Sequence, residues 1–285
     1  MSSRRDNGTS GGVRTAIVTG GASGIGRALA EELAASGVHV VLADRQIELA
    51  QAVVSGIRAR GGTADFTELN VSNGVRFQEV VQAVVDAAGR LDFLFNNAGI
   101  GVAGEIRHYG PDDWRDVLDV NLLGVIHGVT AAYPLMITQG FGHIVNTASL
   151  AGLVAAPMLG SYTASKFAVV GLSKALRIEA RCYGVRVSVI CPGIVRTPIL
   201  EGGRFGRVNA DAEVLATHAA HLRRFTIDPH VFARRVLRSI ERNRAVIVEP
   251  SWARWLWRAE RAAPRLTERL MERLFERYAR SPIGR

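Results

Sequence analysis

A chain of 285 residues, 48% hydrophobic and 21% charged, has an ordinary globular composition and is long enough to bury a sizeable core in one large domain or two small ones. No apolar run reaches the ~18 residues of a membrane span, and Cys182 and Cys191 are too few for a disulfide framework, which fits a reducing cytoplasm. The net charge of +9 invites a nucleic-acid partner, but nine arginines against four glutamates sit in residues 251–285, the other charges are mixed, and no zinc-ligand spacing or aromatic RNA-binding motif occurs, so none is expected.

Residues 1–12, MSSRRDNGTSGG, are polar and glycine-rich with no apolar core after their arginines, and read as a disordered tail rather than a secretory signal. From there short apolar runs alternate with helical patterns. The predicted strands are TAIVTG (15–20), VHVVLAD (38–44), TADFTEL (63–69), LDFLFN (91–96), GHIVNTAS (142–149), VRVSVICPG (185–193) and AVIVE (245–249). Helical spacing fills the gaps: GIGRALAEELAASG, QIELAQAVVSGIRARG, NGVRFQEVVQAVVDAAG, a long piece from Pro111 to Gly140, and SYTASKFAVVGLSKAL at 161–176. Strands that are apolar throughout, each followed by a helix, imply a parallel sheet covered on both faces. The expectation is a single α/β domain over residues 13–250, a doubly wound parallel sheet of Rossmann type. Residues 198–227 read as an inserted substrate loop with helices, and 251–285 as a C-terminal helical extension.

The first strand runs straight into TGGASGIG, Thr19 to Gly26, and then a helix. Such a turn needs positive φ, close backbone approach and the free N–H groups of a helix start, which together bind a pyrophosphate. Gly20, Ser23, Gly24, Ile25 and Gly26 are therefore candidate cofactor contacts. Asp44 closes the second strand, where an acid accepts hydrogen bonds from a ribose 2′-OH and repels a 2′-phosphate. That favours NAD over NADP. Arg45, next to it, is of the type that holds a 2′-phosphate, but the glycine loop carries no basic side chain.

The chain's 35 cationic residues include only two lysines, Lys166 and Lys174. Lys166 stands one helical turn after Tyr162. A free tyrosine, with pKa near ~10, is idle as a base at neutral pH, and an ammonium on the same helix face favours the phenolate. Ser149 lies at the carboxyl end of a predicted strand, where open α/β sheets bind ligands, and a hydroxyl there can hydrogen-bond a substrate oxygen.

TGGASGIG, NNAG (Asn96 to Gly99), Asn121 in DVNLLG, Ser149, Tyr162-x3-Lys166 and ProGly at 192–193 together resemble the short-chain dehydrogenase/reductase family, in its order and spacing, from about Arg14 to Thr197. The resemblance implies that Tyr162 is the acid/base, that Lys166 lowers its pKa and binds the nicotinamide ribose, that Ser149 orients the substrate oxygen, and that Asn121 holds a water linking Lys166 to solvent. It places Asn97 and Gly99 beside the cofactor and Asn70 with Val71 at the adenine. Asn70 stands where aspartate is frequent, and keeps a carbonyl acceptor. Pro192, Gly193, Ile194 and Thr197 would hold the nicotinamide carboxamide and a phosphate. No metal is implied, and a homo-oligomer, dimer or tetramer, is, through helices at about 111–139 and 161–182.

His108, His127 and His143 lack ligand spacing and read as surface or core histidines. Cys191 reads as a small buried hydrophobe and Trp114 as packing. In the extension, Leu266, Leu270, Met271, Leu274, Phe275 and Tyr278 share one helical face and Arg265, Arg269, Arg273 and Arg277 another. Three readings stand: a helix packed on its own or a neighbouring subunit, a wall of an apolar substrate pocket, or a peripheral membrane contact through 251–285. The expected activity is hydride transfer between a nicotinamide cofactor and a secondary alcohol or carbonyl substrate, hydrophobic because LAGLVAAPMLG and 198–227 are rich in apolar side chains. The alternatives are an NADPH-dependent 3-oxoacyl thioester reductase and a dinucleotide-binding regulator without turnover.

Overall fold

The computed structural model describes residues 12–201, 206–208 and 225–279. The expected tail up to residue 11, most of the expected 198–227 insertion and the last six residues lie outside the described residues. The described strands are β1 (Thr15–Thr19), β2 (His39–Asp44), β3 (Ala64–Glu68), β4 (Phe93–Asn96), β5 (Gly101–Ala103), β6 (Gly142–Thr147), β7 (Val185–Pro192), β8 (Gly206–Val208) and β9 (Val246–Glu249). The helices are α1 (Gly24–Ala35), α2 (Ile47–Ala59), α3 (Gly74–Ala88), α4 (Pro111–Leu118), α5 (Gly124–Gln139), α6 (Gly160–Ala180), α7 (Pro229–Glu241), α8 (Ser251–Ala262) and α9 (Pro264–Ala279).

All seven predicted strands join one parallel sheet in the order β3-β2-β1-β4-β6-β7-β9. Their β-branched runs suit a pleated surface buried on both sides. Side chains alternate between the two faces. Along β1, Ala16 and Val18 enter the core with Leu29 of α1, Val53 of α2 and Phe232 of α7, while Ile17 enters the core with Val80 of α3, Met136 of α5 and Leu176 of α6. Each such buried large side chain contributes roughly 1.5–3 kcal/mol. The short strands β5 and β8, which the sequence patterns do not announce, pair in parallel as a separate two-stranded sheet.

Helix boundaries follow local chemistry. The Asn73 side chain accepts from Arg76 N to cap α3, and Asp228 accepts from His230 N and Val231 N at the head of α7, with Pro229 in the first turn. The stretch Pro111–Gln139 is, contrary to the sequence expectation, long and apolar enough by composition to cross a membrane. Here Ala132 and Met136 from it are fully buried against the sheet.

The strand order reverses between β1 and β4, so the loops after these strands diverge and open a crevice at their carboxyl ends. That crevice fixes where a ligand can bind.

His143 on β6 is a core histidine, as expected. Its Nε2 lies 2.9 Å from Ser188 Oγ, which itself donates to Arg244 O, so Nε2 carries the proton and donates. Burial pushes its pKa down to about 3, with Arg186 and Arg177 adding to the effect. The folded state thus holds it neutral while the unfolded chain protonates near ~6.5. Stability present at neutral pH is lost as pH falls from that value towards 3, by up to roughly 4–5 kcal/mol. Urea unfolding of His143→Gln should show a shallower loss between pH 6.5 and 4 than the parent; an unchanged slope would contradict it.

Candidate active site

The loop after β1 is shaped to receive an anion. Thr19 Oγ1 accepts from Asn97 N (2.9 Å) and Ala98 N (3.0 Å) and donates to Phe95 O, tying the ends of β1 and β4 together. Gly20 and Gly24 have φ of 64° and 53°. A Cβ on Gly26 would lie 2.1 Å from Gly20 O, so the turn folds back on the helix start at a distance only glycine permits. Ser23, the N-cap of α1, makes no side-chain capping bond, and no acid stands in the first turn. The N–H groups of that turn therefore face the crevice with the helix dipole behind them, which fits a dinucleotide pyrophosphate.

Asp44 is buried, its carboxylate accepting from Ala22 N and Gln46 N, both at 3.0 Å. It clamps the glycine loop to the end of β2 and still faces the crevice beside Arg45. Asn70 Oδ1 accepts from Ser72 N, shaping the turn at Val71. The Val71 carbonyl is held at 2.9 Å by His127 Nδ1. His127, expected as a surface or core histidine, positions the loop at Val71 across 56 residues of sequence, and nothing in its neighbours signals that.

Lys166 and Tyr162 project from the first turns of α6. Lys166 is buried, its Nζ 5.5 Å from the centroid of the Tyr162 ring and donating to Thr147 O at 2.9 Å. An ammonium has three donors, so two remain for a bound ribose. Ser149, two residues past β6, stands beside the Tyr162 phenol, and its Oγ accepts from Ala151 N. The ammonium is not the largest influence on the phenol. In the protein by itself, burial pushes the Tyr162 pKa above its ordinary value and the Ser149 hydroxyl draws it back only in part. Burial also lowers Lys166, to about 8. Desolvation, which a sequence pattern does not show, outweighs proximity.

Asn121 sits in a π-helical turn, Asp119–Leu123, between α4 and α5. Such a turn aims a side chain that a regular helix would carry elsewhere. Its Oδ1 accepts from Ile100 N and its Nδ2 donates to Ile100 O and Ser165 Oγ. The side chain clamps the loop after β4 to α6, so the water relay implied by the resemblance would have to use its backbone carbonyl.

A cavity of about 890 Å³ joins these groups. Every predicted site residue lines it except Gly26 and Asn121, which hold the loops that do. Thr147 also lines it, and so do Phe225 from the expected 198–227 insertion, Trp252 and Leu256 of α8, and Leu270, Met271 and Leu274 of α9. The C-terminal extension is therefore a pocket wall, the reading among the three that packing favours.

Residues 14–204 match the model of the short chain dehydrogenase family. The chain belongs to the short-chain dehydrogenase/reductase family. The dehydrogenase is 36% identical to cyclohexanol dehydrogenase of Acinetobacter sp. (strain SE19) over 216 residues, 71% of this chain and 86% of that one. It is similar to a short-chain dehydrogenase/reductase from Burkholderia phymatum solved with NAD: TM-score 0.79, 32% identity, covering 90% of this chain and 95% of that one. It also resembles a metagenomic short-chain oxidoreductase solved with NADP, with TM-score 0.61 and 38% identity over 64% of this chain and 83% of that one. The dehydrogenase is thus a nicotinamide-dependent oxidoreductase.

Proposed function

We propose that the dehydrogenase prefers NAD and interconverts a hydrophobic secondary alcohol and its ketone. The observation that carries this reading is the convergence of Ser149, Tyr162 and Lys166 on one cavity continuous with the glycine loop. The cofactor accepts or supplies the hydride. Tyr162 takes the alcohol proton in oxidation and returns it in reduction, and Ser149 holds the reacting oxygen against the phenol. Lys166 binds the nicotinamide ribose with its two unused donors and favours the phenolate.

NAD is favoured because Asp44 faces the crevice as a buried carboxylate and the glycine loop has no cation. A hydrophobic substrate is favoured by Val154, Leu159 and Ile199, which line the cavity. The similarity to cyclohexanol dehydrogenase supports a secondary alcohol. Phe167 and Ile178 of α6, both exposed, support a homo-oligomer through this helix.

The test is a screen of cyclohexanol, 2-alkanols and the matching ketones with each cofactor. NAD should exceed NADP in kcat/KM by about tenfold or more, one such factor being ~1.4 kcal/mol of discrimination. Equal or reversed preference would remove the argument from Asp44.

A further inference from the structure

The family-model match stops at residue 204, yet the chain builds one end of the catalytic cavity from Trp252 onward. Ala253 of α8 is fully buried, and the space a Cβ on Gly193 would fill is closed at 3.0 Å by Ala253 and Trp252. Helix α8 is thus seated directly on the loop after β7. Trp252 Nε1 donates to Phe225 O, so its one polar atom is satisfied within the protein. Helix α9 folds back on α8 through Thr267, which is buried and donates to Glu260 and to Pro264 O. This seating brings Leu270, Met271 and Leu274 over the cavity.

Charge is divided along the cavity. Among the described residues that line it, only Asp44, Arg45 and Lys166 are ionisable cations or acids, and all three belong to the parts already assigned to cofactor and proton transfer. Arg269 and Arg273 of α9 are exposed and do not line it. Among the described residues, the end roofed by α8 and α9 offers a ligand apolar contact and no cation.

We infer that α8 and α9 form an apolar subsite that selects the body of the substrate, accepting an uncharged alkyl or alicyclic alcohol and rejecting a carboxylate. This deepens the proposed reaction and rests on it for the position of the reacting oxygen. A carboxylate held against Met271 would give up part of its water and meet no cation among the described residues. Each added methylene that enters the subsite raises kcat/KM about 3–4-fold. Met271 and Leu274 are thus specificity residues, placed by helices that lie beyond the residues matched by the family model.

The experiment compares the full-length parent with Met271→Arg and Met271→Gln. It measures kcat/KM with NAD for 2-butanol, 2-hexanol, 2-octanol and 3-hydroxybutyrate, and binding of 2-octanone by tryptophan fluorescence, with Trp252→Phe identifying the responding ring. The parent should climb steadily from 2-butanol to 2-octanol and prefer 2-octanol to 3-hydroxybutyrate by about 100-fold or more, two tenfold steps of discrimination. Met271→Arg should weaken 2-octanone binding and raise the KM for 2-octanol by about tenfold, narrow the preference over 3-hydroxybutyrate, and leave NAD affinity as in the parent. Met271→Gln keeps a similar volume, should move the same quantities in the same direction by less, and decides the matter if the arginine variant does not fold. Unchanged chain-length dependence and unchanged 2-octanone binding in a folded variant overturn the subsite. Binding of 2-octanone that responds to Met271 without turnover of any alcohol upholds the subsite and overturns the proposed reaction instead.

Discussion

Tyr162→Phe is expected to lower kcat by roughly 10²–10⁴-fold, the range that a positioned proton donor contributes, with NAD affinity within a few-fold of the parent. Phenylalanine fills the same space beside Lys166 and Ser149 and removes only the phenol oxygen. Ser149 remains able to hydrogen-bond the substrate, but an alkanol hydroxyl does not ionise near neutral pH, so it cannot replace the lost base. The pH dependence supplies a second readout. Because burial moves the phenol upward from its ordinary value, the base form is scarce at pH 7, and alcohol oxidation in the parent should rise about tenfold per pH unit until the phenol ionises. Ketone reduction, which uses the protonated form, should not rise with it. Stopped-flow measurement of NADH formation between pH 6 and 10 checks both. Parent-like turnover in Tyr162→Phe would sink the assignment of the acid/base.

The layout of the fold was legible because its signals are local. Seven apolar runs with helices between them specify a parallel sheet, and TGGASGIG after the first run marks where its crevice opens. Tyr162 and Lys166 were legible for the same reason, since four residues on a helix bring two side chains to one face. What could not be read depends on distant closure. The grip of His127 on the Val71 carbonyl joins two loops that share no pattern. The π-helical turn at Asn121 follows from the way the side chain is held by Ile100 and Ser165. The apolar face of α9 was visible as periodicity, but which surface would cover it was not; the seat of α8 on Gly193 decided that in favour of the pocket. The burial of Tyr162 was not legible, because charge proximity can be counted along a helix and desolvation cannot.

Lys166→Met separates what the lysine does for the reaction from what it costs the fold. In the folded protein Lys166 is 2% exposed, with Thr147 O as its one hydrogen-bond acceptor among the described residues, and burial brings its pKa from 10.5 to about 8. A base whose folded pKa lies below its unfolded one holds fewer protons in the fold than in the unfolded chain across that window. Stability therefore rises with pH between about 8 and 10.5, and below 8 the full penalty applies, on the order of 3 kcal/mol at pH 7. Methionine has nearly the same length and no charge, so it removes the penalty and forfeits one hydrogen bond worth about 1 kcal/mol. The cofactor-free variant should melt several degrees above the parent at pH 7, since ~1 kcal/mol corresponds to about 2–4 °C in a chain of this size. The gap should close as pH rises towards and past 10.5, where the unfolded-state lysine also gives up its proton. Turnover should fall by roughly 10²-fold or more in the same variant, because neither the ribose nor the phenolate then meets an ammonium. Calorimetry from pH 7 to 10 with matched NAD kinetics makes the measurement. A variant that melts below the parent throughout would show that Lys166 holds the fold together rather than straining it for the sake of the chemistry.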